Sequence, residues 1–263
     1  MSQVISFPHL GLEFNVDPNA FTLFGRDIKW YAIIILTGMI LAVLFSIYEG
    51  KRTGVSTDTI LDIALICIPT GIICARIYYV IFQWEQYDSF WEMLQIWNGG
   101  LAIYGGIIGG TVSAFIYCYV KKVSFGELAD LGGFGFLIGQ AIGRWGNFMN
   151  GEAYGCETSL PWGMVIEYET MYPVHPTFLY ESLWNVIGFL LLFFYRKHKK
   201  FSGEIFLLYV VWYGLGRAWV EGLRADSLYL FESGIRVSQL LAISAVVVGL
   251  IVILIKRYKL RKI

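Results

Sequence analysis

The sequence predicts an all-α polytopic membrane protein with about seven transmembrane helices, its N-terminus outside and its C-terminus in the cytoplasm. Of its 263 residues, 57% are hydrophobic and only 15% are charged, against roughly 25% charged residues in an ordinary soluble domain. The charged residues cluster between long apolar runs, and the basic ones concentrate in alternate loops. This composition excludes a disordered chain and, since the four cysteines lack a framework spacing, a disulfide-rich secreted domain. The zero net charge gives no indication of a nucleic-acid partner.

A transmembrane helix requires about 20 mostly apolar residues, and seven stretches of the chain meet this requirement. They lie near residues 30–48, 59–82, 101–120, 127–146, 176–195, 203–222 and 238–256. The fourth stretch is the least apolar because it is rich in glycine. Residues 1–28 form a polar and aromatic outer arm that lacks the basic start of a signal peptide. We therefore expect one integral-membrane domain over residues 1–263.

The orientation follows from the lysines and arginines of the short loops, which favour the cytoplasmic side. Thirteen of the 20 basic residues follow the first, third, fifth and seventh spans: Lys51, Arg52, Lys121, Lys122, Arg196, Lys197, Lys199, Lys200, Lys256, Arg257, Lys259, Arg261 and Lys262. The opposite loops, 83–100 and 147–175, contain no Lys or Arg and are rich in Trp and Tyr. Those aromatic residues indicate either a belt at the lipid–water interface or a platform for a substrate.

Four arginines lie where a charge is costly, inside or at the ends of predicted spans: Arg76, Arg144, Arg217 and Arg224. An arginine at the middle of a bilayer costs about 2.5–3.5 kcal/mol on insertion scales. Each of these side chains must therefore face a polar interior and find an anionic partner. Arg76 has no obvious partner on its own helix.

The sixth span carries a polar stripe whose members are spaced four, four and three residues apart: Tyr213, Arg217, Glu221 and Arg224. This spacing predicts one helix face. Glu221 can neutralise only one of the two arginines, and Arg144 adds a cation near the same depth. The pattern fits either a structural ladder of ion pairs or an anion site. Because the guanidinium fork matches phosphate, a site for a lipid phosphate is the first hypothesis.

Two glycine-dense segments predict close helix packing. In the fourth span the glycines recur every four residues and form a smooth face: Gly135, Gly139 and Gly143. Polar residues follow at its end: Arg144, Asn147, Asn150 and Glu152. This grouping favours a site, although a lone asparagine is usually a helix C-cap. In the third span, Gly105 and Gly109 form a small-xxx-small pair just after Tyr104.

Five sequence blocks carry a resemblance to a known family. They are IKWYA (28–32), WNGGLAIYGGIIGG (97–110), GRWGNFMNGEAYG (143–155), HPTFLYES (175–182) and YGLGRAWVEGLRADS (213–227). In this order they resemble the blocks of the bacterial phosphatidylglycerol–prolipoprotein diacylglyceryl transferases. The resemblance extends over nearly the whole chain.

The resemblance implies an activity and a location. Such enzymes transfer the sn-1,2-diacylglyceryl group of phosphatidylglycerol to the thiol of the lipobox cysteine in a prolipoprotein signal peptide. A thioether forms and glycerol-1-phosphate is released, which is the first step of bacterial lipoprotein maturation. The implied location is the inner (cytoplasmic) membrane, with the active site toward the outer leaflet. The implied partners are membrane lipid, phosphatidylglycerol and prolipoproteins, with no nucleic acid, cofactor or metal.

The resemblance also implies roles for individual residues. It assigns catalysis to Arg144 and Arg217, and it leaves Tyr104, Glu152 and the leaving phosphate as alternative acceptors of the thiol proton. It assigns binding of phosphatidylglycerol to Arg144, Asn147, Tyr31, Tyr213, Glu221, Arg224 and Gly155. One departure matters, because many family members have histidine where this chain has Tyr104. An unperturbed tyrosine has a pKa near 10 and is a poor base at neutral pH, but its hydroxyl can donate a hydrogen bond.

Two other classes of protein could use the same apolar helices. A channel or carrier would predict internal repeats, and none is apparent between the two halves of the chain. A lipid-binding scaffold without chemistry could use the same arginines. The sequence contains no GxSxG, HExxH, CxxC or Walker motif, and its three histidines are scattered, so no metal centre is expected.

Overall fold

The computed structural model describes residues 2–225, 234 and 236–262, and this part of the chain is mostly helical. The helices are α1 (Trp30–Thr53), α2 (Thr57–Phe82), α3 (Phe90–Leu94), α4 (Ile103–Lys121), α5 (Phe125–Asn150), α6 (Thr177–Tyr195), α7 (Glu204–Glu221) and α8 (Val237–Arg261). The strands are β1 (Gln3–Phe7), β2 (Leu12–Val16), β3 (Asn19–Leu23), β4 (Arg26–Lys29) and β5 (Val165–Ile166). The last two residues of the fifth sequence block, Asp226 and Ser227, lie outside the described residues.

Each of the seven predicted spans coincides with one long helix. Within the described residues, five helices are long and apolar enough to cross a membrane: α1, α2, α4, α8, and α6 with the turn that follows it. The other two are less apolar for different reasons: α5 is rich in glycine, and the 18 residues of α7 include the charged side chains Glu204, Arg217 and Glu221. On α2, side chains spaced four residues apart are more than half exposed along one face: Ile73, Ile77 and Ile81. An apolar face of this kind suits contact with lipid.

The expectation of an all-α fold was wrong at the N-terminal arm, which forms strands. β1 pairs antiparallel with both β2 and β5. Ile5 and Phe7 are buried while the residues between and before them are partly exposed, a period of two that is typical of strands. These side chains pack in a small core with Val16, Met164, Ile166, Val174 and Phe178. The alternation that marks these strands covers only five residues, which is short beside the long apolar runs, so the sequence indicated a polar and aromatic arm without strands.

The second part of the arm is a β-hairpin formed by β3 and β4. Its turn is Phe24-Gly25, and both residues have positive φ angles, 49° and 75°. Two successive positive φ angles are typical of the type I′ turn that joins tightly twisted strands. The hairpin leads directly into α1. At this junction the backbone N–H of Trp30 donates to the carbonyl of Pro18.

The chain divides into two compact units, Met1–Ser46 with Ala129–Ile263, and Ile47–Leu128. In the first unit, α1 packs on the glycine face of α5, as the spacing of that face predicted. A Cβ atom at Gly143 would lie 3.0 Å from Ile35, and one at Gly135 would lie 3.6 Å from Ala42. A Cβ atom at Gly38 would lie 3.5 Å from the Cα atom of Gly139. Small residues on both helices therefore allow their backbones to approach closely.

In the second unit, α2 and α4 pack through the glycines of the other dense segment. A Cβ atom at Gly105 would lie 2.3 Å from the carbonyl oxygen of Cys74, and one at Gly109 would lie 2.6 Å from its Sγ atom. No side chain larger than hydrogen fits at these positions without moving α2. The prediction of close packing is confirmed for this segment.

Arg76 satisfies its charge in a way that the sequence did not predict. It is 6% exposed, and its guanidinium donates to four backbone carbonyls of the loop after α2. The acceptors are Glu92 (2.9 Å), Met93 (2.8 Å), Gly99 (2.6 Å) and Gly100 (3.0 Å). The expectation of an anionic partner was therefore wrong for Arg76, because converging carbonyl dipoles solvate its charge and tie this loop to α2.

Candidate active site

Three arginines from different parts of the first unit converge on the carboxylate of Glu181. Glu181 lies on the second turn of α6 and is 5% exposed. Its Oε2 atom lies 2.5 Å from Nη2 of Arg144 on α5. Its Oε1 atom lies 3.4 Å from Nη1 of Arg217 on α7 and 3.9 Å from Nη1 of Arg224. We call these four residues the arginine cluster.

A second buried carboxylate, Glu221, adjoins the arginine cluster. Its Oε2 atom lies 2.6 Å from Nη2 of Arg217, one helical turn away on α7. Arg217 thus contacts two carboxylates with the two arms of its guanidinium fork. The backbone carbonyl of Glu221 accepts a hydrogen bond from Arg236. The ion pair with Arg217 is required because an isolated buried carboxylate would carry a large desolvation cost.

The stripe predicted on the sixth span is correct in that its charged residues lie near one another, but it wrongly places Arg224 on the helix. α7 ends at Glu221, and Gly222 caps it. Arg224 therefore lies beyond the helix, where it forms an antiparallel bridge with Gly155. The backbone turns after Glu221, so the guanidinium of Arg224 lies near Glu181 although Arg224 is outside the helix.

Sequence reasoning missed Glu181, although it lies in one of the five blocks. Helical spacing brings together only residues of the same helix, whereas Glu181 is separated from Arg217 by 36 positions. A carboxylate in an otherwise apolar helix was the available signal, because such a residue requires a polar partner. Among the arginine cluster and Glu221, three guanidinium groups face two carboxylates.

A second group of polar side chains extends from Arg144. Its Nη1 atom donates to Oδ1 of Asn147 at 3.3 Å, and Nδ2 of Asn147 donates to Oε1 of Glu152 at 2.9 Å. Nδ2 of Asn150 donates to the same Oε1 atom at 3.2 Å. Asn147 lies inside α5, which continues to Asn150, so it is not a helix C-cap. The structure thus joins Arg144, Asn147 and Glu152 in one chain of hydrogen bonds, which we call the relay; that they form a functional site stays a prediction.

Gly155 lies where the segment after α5 crosses two other segments. Its N–H donates to the carbonyl of His175 at 2.9 Å, and the next N–H, of Cys156, donates to the carbonyl of Leu223 at 2.6 Å. A Cβ atom at Gly155 would lie 2.6 Å from Cβ of His175 and 2.8 Å from the carbonyl oxygen of Leu223. Residue 155 therefore has room only for glycine and holds Arg224 beside the start of α6.

The three predicted tyrosines have different surroundings. The ring of Tyr31 on α1 packs on α5, where a Cβ atom at Gly146 would lie 2.7 Å from it. Tyr213 stacks on Tyr209, with ring centroids 5.9 Å apart, and lines a small cavity beside Glu181 and Arg217.

Tyr104 belongs to the second unit, on the first turn of α4. It is about half exposed, and its ring centroid lies 6.4 Å from that of Tyr78.

His175 precedes α6 and takes part in an aromatic contact beside Gly155. Its Nδ1 atom lies 3.2 Å from the hydroxyl of Tyr180, which also accepts a hydrogen bond from Nε1 of Trp162 at 2.7 Å. Burial lowers the pKa of His175 from its ordinary value. A neutral ring with one hydrogen bond of this kind is suited to a structural role at the start of α6.

These features define a multi-pass helical membrane protein with a buried site of arginines and carboxylates, assembled from α5, α6 and α7. Such a site is suited to an oxyanion that can accept paired hydrogen bonds.

Comparison with known proteins identifies the family. The model of the prolipoprotein diacylglyceryl transferase family matches residues 18–255. A phosphatidylglycerol–prolipoprotein diacylglyceryl transferase of Clostridioides difficile is 48% identical over 239 residues, which cover 90% of this chain and 94% of the relative. Proteins of the same name from Bacillus licheniformis (45% identical; 94% and 95% covered) and Lysinibacillus sphaericus (44% identical; 94% and 94% covered) are also similar. The chain belongs to the prolipoprotein diacylglyceryl transferase family.

The close approach at Gly155 yields a prediction. Gly155→Ala should lower the free energy of unfolding by about 1–3 kcal/mol, because its methyl group forces His175 or Leu223 to move. The measurement is thermal unfolding of the purified protein in detergent. Gly139→Ala is the matched control, since a Cβ atom there meets nothing within 4 Å and alanine favours a helix. Equal unfolding midpoints for the two variants would contradict the steric argument.

Proposed function

We propose that this chain transfers the diacylglyceryl group of phosphatidylglycerol to the lipobox cysteine of prolipoproteins. The observation that carries the proposal is the convergence of Arg144, Arg217 and Arg224 on one buried carboxylate. The relatives named above bear this activity in their names. A channel does not require such a cluster, and a scaffold would require it only for binding.

The arginine cluster supplies the chemistry that a phosphodiester requires. Guanidinium groups keep their charge at every physiological pH and donate parallel hydrogen bonds to two oxygens. Glu181 holds the three guanidinium groups together at distances between 2.5 and 3.9 Å. We propose that the lipid phosphate takes over part of these contacts, beginning with Arg224, whose contact to Glu181 is the longest.

The relay from Arg144 suits the rest of the head group. The Asn147 amide lies 3.3 Å from Arg144 and 2.9 Å from the carboxylate of Glu152, so the relay offers both an amide and a carboxylate. The carboxylate can accept hydrogen bonds from the hydroxyls of a glycerol, and the amide can both donate and accept them. We propose that this relay orients the head group while Tyr31, Tyr213 and Gly155 shape its surroundings.

The reaction requires a carbon–sulfur bond to form as a carbon–oxygen bond breaks. The cysteine thiolate attacks the glyceryl carbon that carries the phosphate ester, and the ester oxygen leaves on glycerol-1-phosphate. The nearby guanidinium groups favour the thiolate over the thiol. They also stabilise the charge that develops on the departing phosphate. The proton lost by the thiol balances the new acidic oxygen of the phosphate monoester. The nucleophile comes from the substrate, so the enzyme needs no catalytic serine or cysteine of its own.

A transfer assay tests the proposal directly. The purified protein is incubated with phosphatidylglycerol labelled in its acyl chains and with a lipobox peptide. We expect label to enter the peptide in a thioether and glycerol-1-phosphate to appear in equal amount. A peptide with serine in place of the cysteine should stay unlabelled. Binding of phosphatidylglycerol without transfer would indicate a scaffold and contradict the proposed function.

Arg217 supports a second prediction because it bridges Glu181 and Glu221. Arg217→Lys keeps the positive charge but loses the fork, so one ammonium group cannot serve both carboxylates and a phosphate. The loss of one aimed donor typically reduces the rate by about 10²–10³, and we expect a loss of that order in kcat. Arg261→Lys, an exposed position at the end of α8, is the control. Near-normal turnover of Arg217→Lys would show that Arg217 contributes only its positive charge and not the geometry of its guanidinium.

We propose that Tyr104 acts by hydrogen bonding or orientation and not as an obligatory base. Tyr104→Phe should then reduce turnover moderately, while Tyr104→His should retain substantial activity, because imidazole also donates a hydrogen bond. The measurement is the pH–rate profile of each variant, since a base gives a rising limb near its own pKa. If Tyr104→His moves that limb toward pH 6.5 and Tyr104→Phe abolishes transfer with lipid binding intact, Tyr104 is the base.

We infer that the chain crosses the bacterial inner membrane seven times, with the arginine cluster toward the outer leaflet. The clustering of basic residues in alternate loops supports this orientation. In a variant without the four native cysteines, Ser89→Cys should react with a membrane-impermeant maleimide in intact spheroplasts. Lys121→Cys should react only after permeabilisation. The reverse pattern would overturn the orientation.

A further inference from the structure

A pair of tryptophans joins α6 to α7 by reciprocal contacts. Nε1 of Trp184 on α6 donates to the carbonyl of Trp212 on α7, and Nε1 of Trp212 donates to the carbonyl of Trp184, both at 2.9 Å. The two indole rings are stacked, with centroids 4.3 Å apart and planes 16° from parallel. Each ring thus contributes a hydrogen bond and a stacking surface to the same junction. We call Trp184 and Trp212 the tryptophan pair.

Each ring of the tryptophan pair rests on a glycine one turn beyond the other tryptophan. A Cβ atom at Gly216 would lie 2.3 Å from Nε1 of Trp184, and a Cβ atom at Gly188 would lie 2.3 Å from Nε1 of Trp212. The same W-x-x-x-G spacing therefore occurs on both helices, and the tryptophan of each helix contacts the glycine of the other. A slip of either helix by one residue would remove both hydrogen bonds and both glycine contacts together.

The tryptophan pair lies directly beside the arginine cluster. Glu181 precedes Trp184 by one turn of α6, and Arg217 follows Gly216 on α7. Trp184 and Gly216 also line the small cavity that borders Glu181 and Arg217. One residue of slip moves a helix by about 1.5 Å along its axis. Such a shift would carry the 3.4 Å contact between Glu181 and Arg217 beyond hydrogen-bonding distance.

We infer that Trp184 and Trp212 are positioning residues, which fix the register of α6 against α7 and thereby aim the Arg217 guanidinium at Glu181 and at the substrate phosphate. The inference rests on the proposed function of the arginine cluster. Tryptophan suits this task because its ring fills a glycine notch, while its single N–H must find one acceptor. Neither tryptophan is a catalytic residue, since each acts through Glu181 and Arg217.

The first test compares single variants of the pair. Trp184→Phe and Trp212→Phe keep an aromatic ring but lose the indole N–H. Each should lower kcat by about tenfold to a hundredfold, with a smaller change in KM, when rates are normalised to folded protein. The exciton signal of the stacked indoles in circular dichroism should vanish in both variants. Trp91→Phe, an exposed position on α3, should retain the signal and most of the activity.

A remote variant separates positioning from direct contact. Gly188→Ala lies about two turns from Glu181 on α6 and touches no member of the arginine cluster, yet its methyl group must displace the Trp212 ring. It should lower kcat as Trp212→Phe does. Normal kcat for Gly188→Ala and for both Trp→Phe variants, with only the unfolding temperature reduced, would show a purely structural role and overturn the inference.

A double-mutant cycle tests whether the effect passes through Glu181. Trp184→Phe should lower kcat much less in a Glu181→Gln background than in the native chain, since the contact it aims is already absent. Equal fold-changes in the two backgrounds would overturn the inference. Absence of transfer by the native chain would instead contradict the proposed function. In that case the same cycle is measured with unfolding temperatures in place of kcat. Additive shifts for the two substitutions would contradict coupling between Trp184 and Glu181.

Discussion

The ion cluster around Glu181 is the interaction on which the rest of the first unit depends. One carboxylate with 5% exposure holds arginines from α5, from α7 and from the segment after α7. Coulomb attraction is strong at such depth, and so is the cost of leaving any one of these charges alone. The cluster therefore links three helices and cannot lose a member without leaving a buried charge. Its geometry must be set by packing elsewhere, since ion pairs alone tolerate many arrangements.

That packing is supplied largely by small residues. Glycines on α5 let α1 approach closely, and Gly155 lets the segment after α5 pass between His175 and Leu223. On α6 and α7, Gly188 and Gly216 receive the rings of the tryptophan pair. Inside a membrane there is little hydrophobic driving force between helices, so close contact and hydrogen bonding must provide the specificity.

Much of this could be predicted from sequence, and the failures have physical causes. The long helices followed from apolar length, and the packing of α1 on Gly135, Gly139 and Gly143 followed from a four-residue period. The relay from Arg144 to Asn147 followed from helical spacing. Arg76 and Glu181 could not be assigned partners, because their contacts are to backbone carbonyls of a loop and to other helices. The strands of the arm were missed because their alternation is brief.

The position of Glu181 on the helix between the two arginine helices has a consequence for how the chain is made. Ribosomes synthesise α5 first, then α6, then α7, so Arg144 is made before Glu181 and Glu181 is made before Arg217. The helix that carries the shared carboxylate therefore follows one of its arginine helices along the chain and precedes the other. The partners of each of these two ion pairs are thus both present once two consecutive long helices have been synthesised.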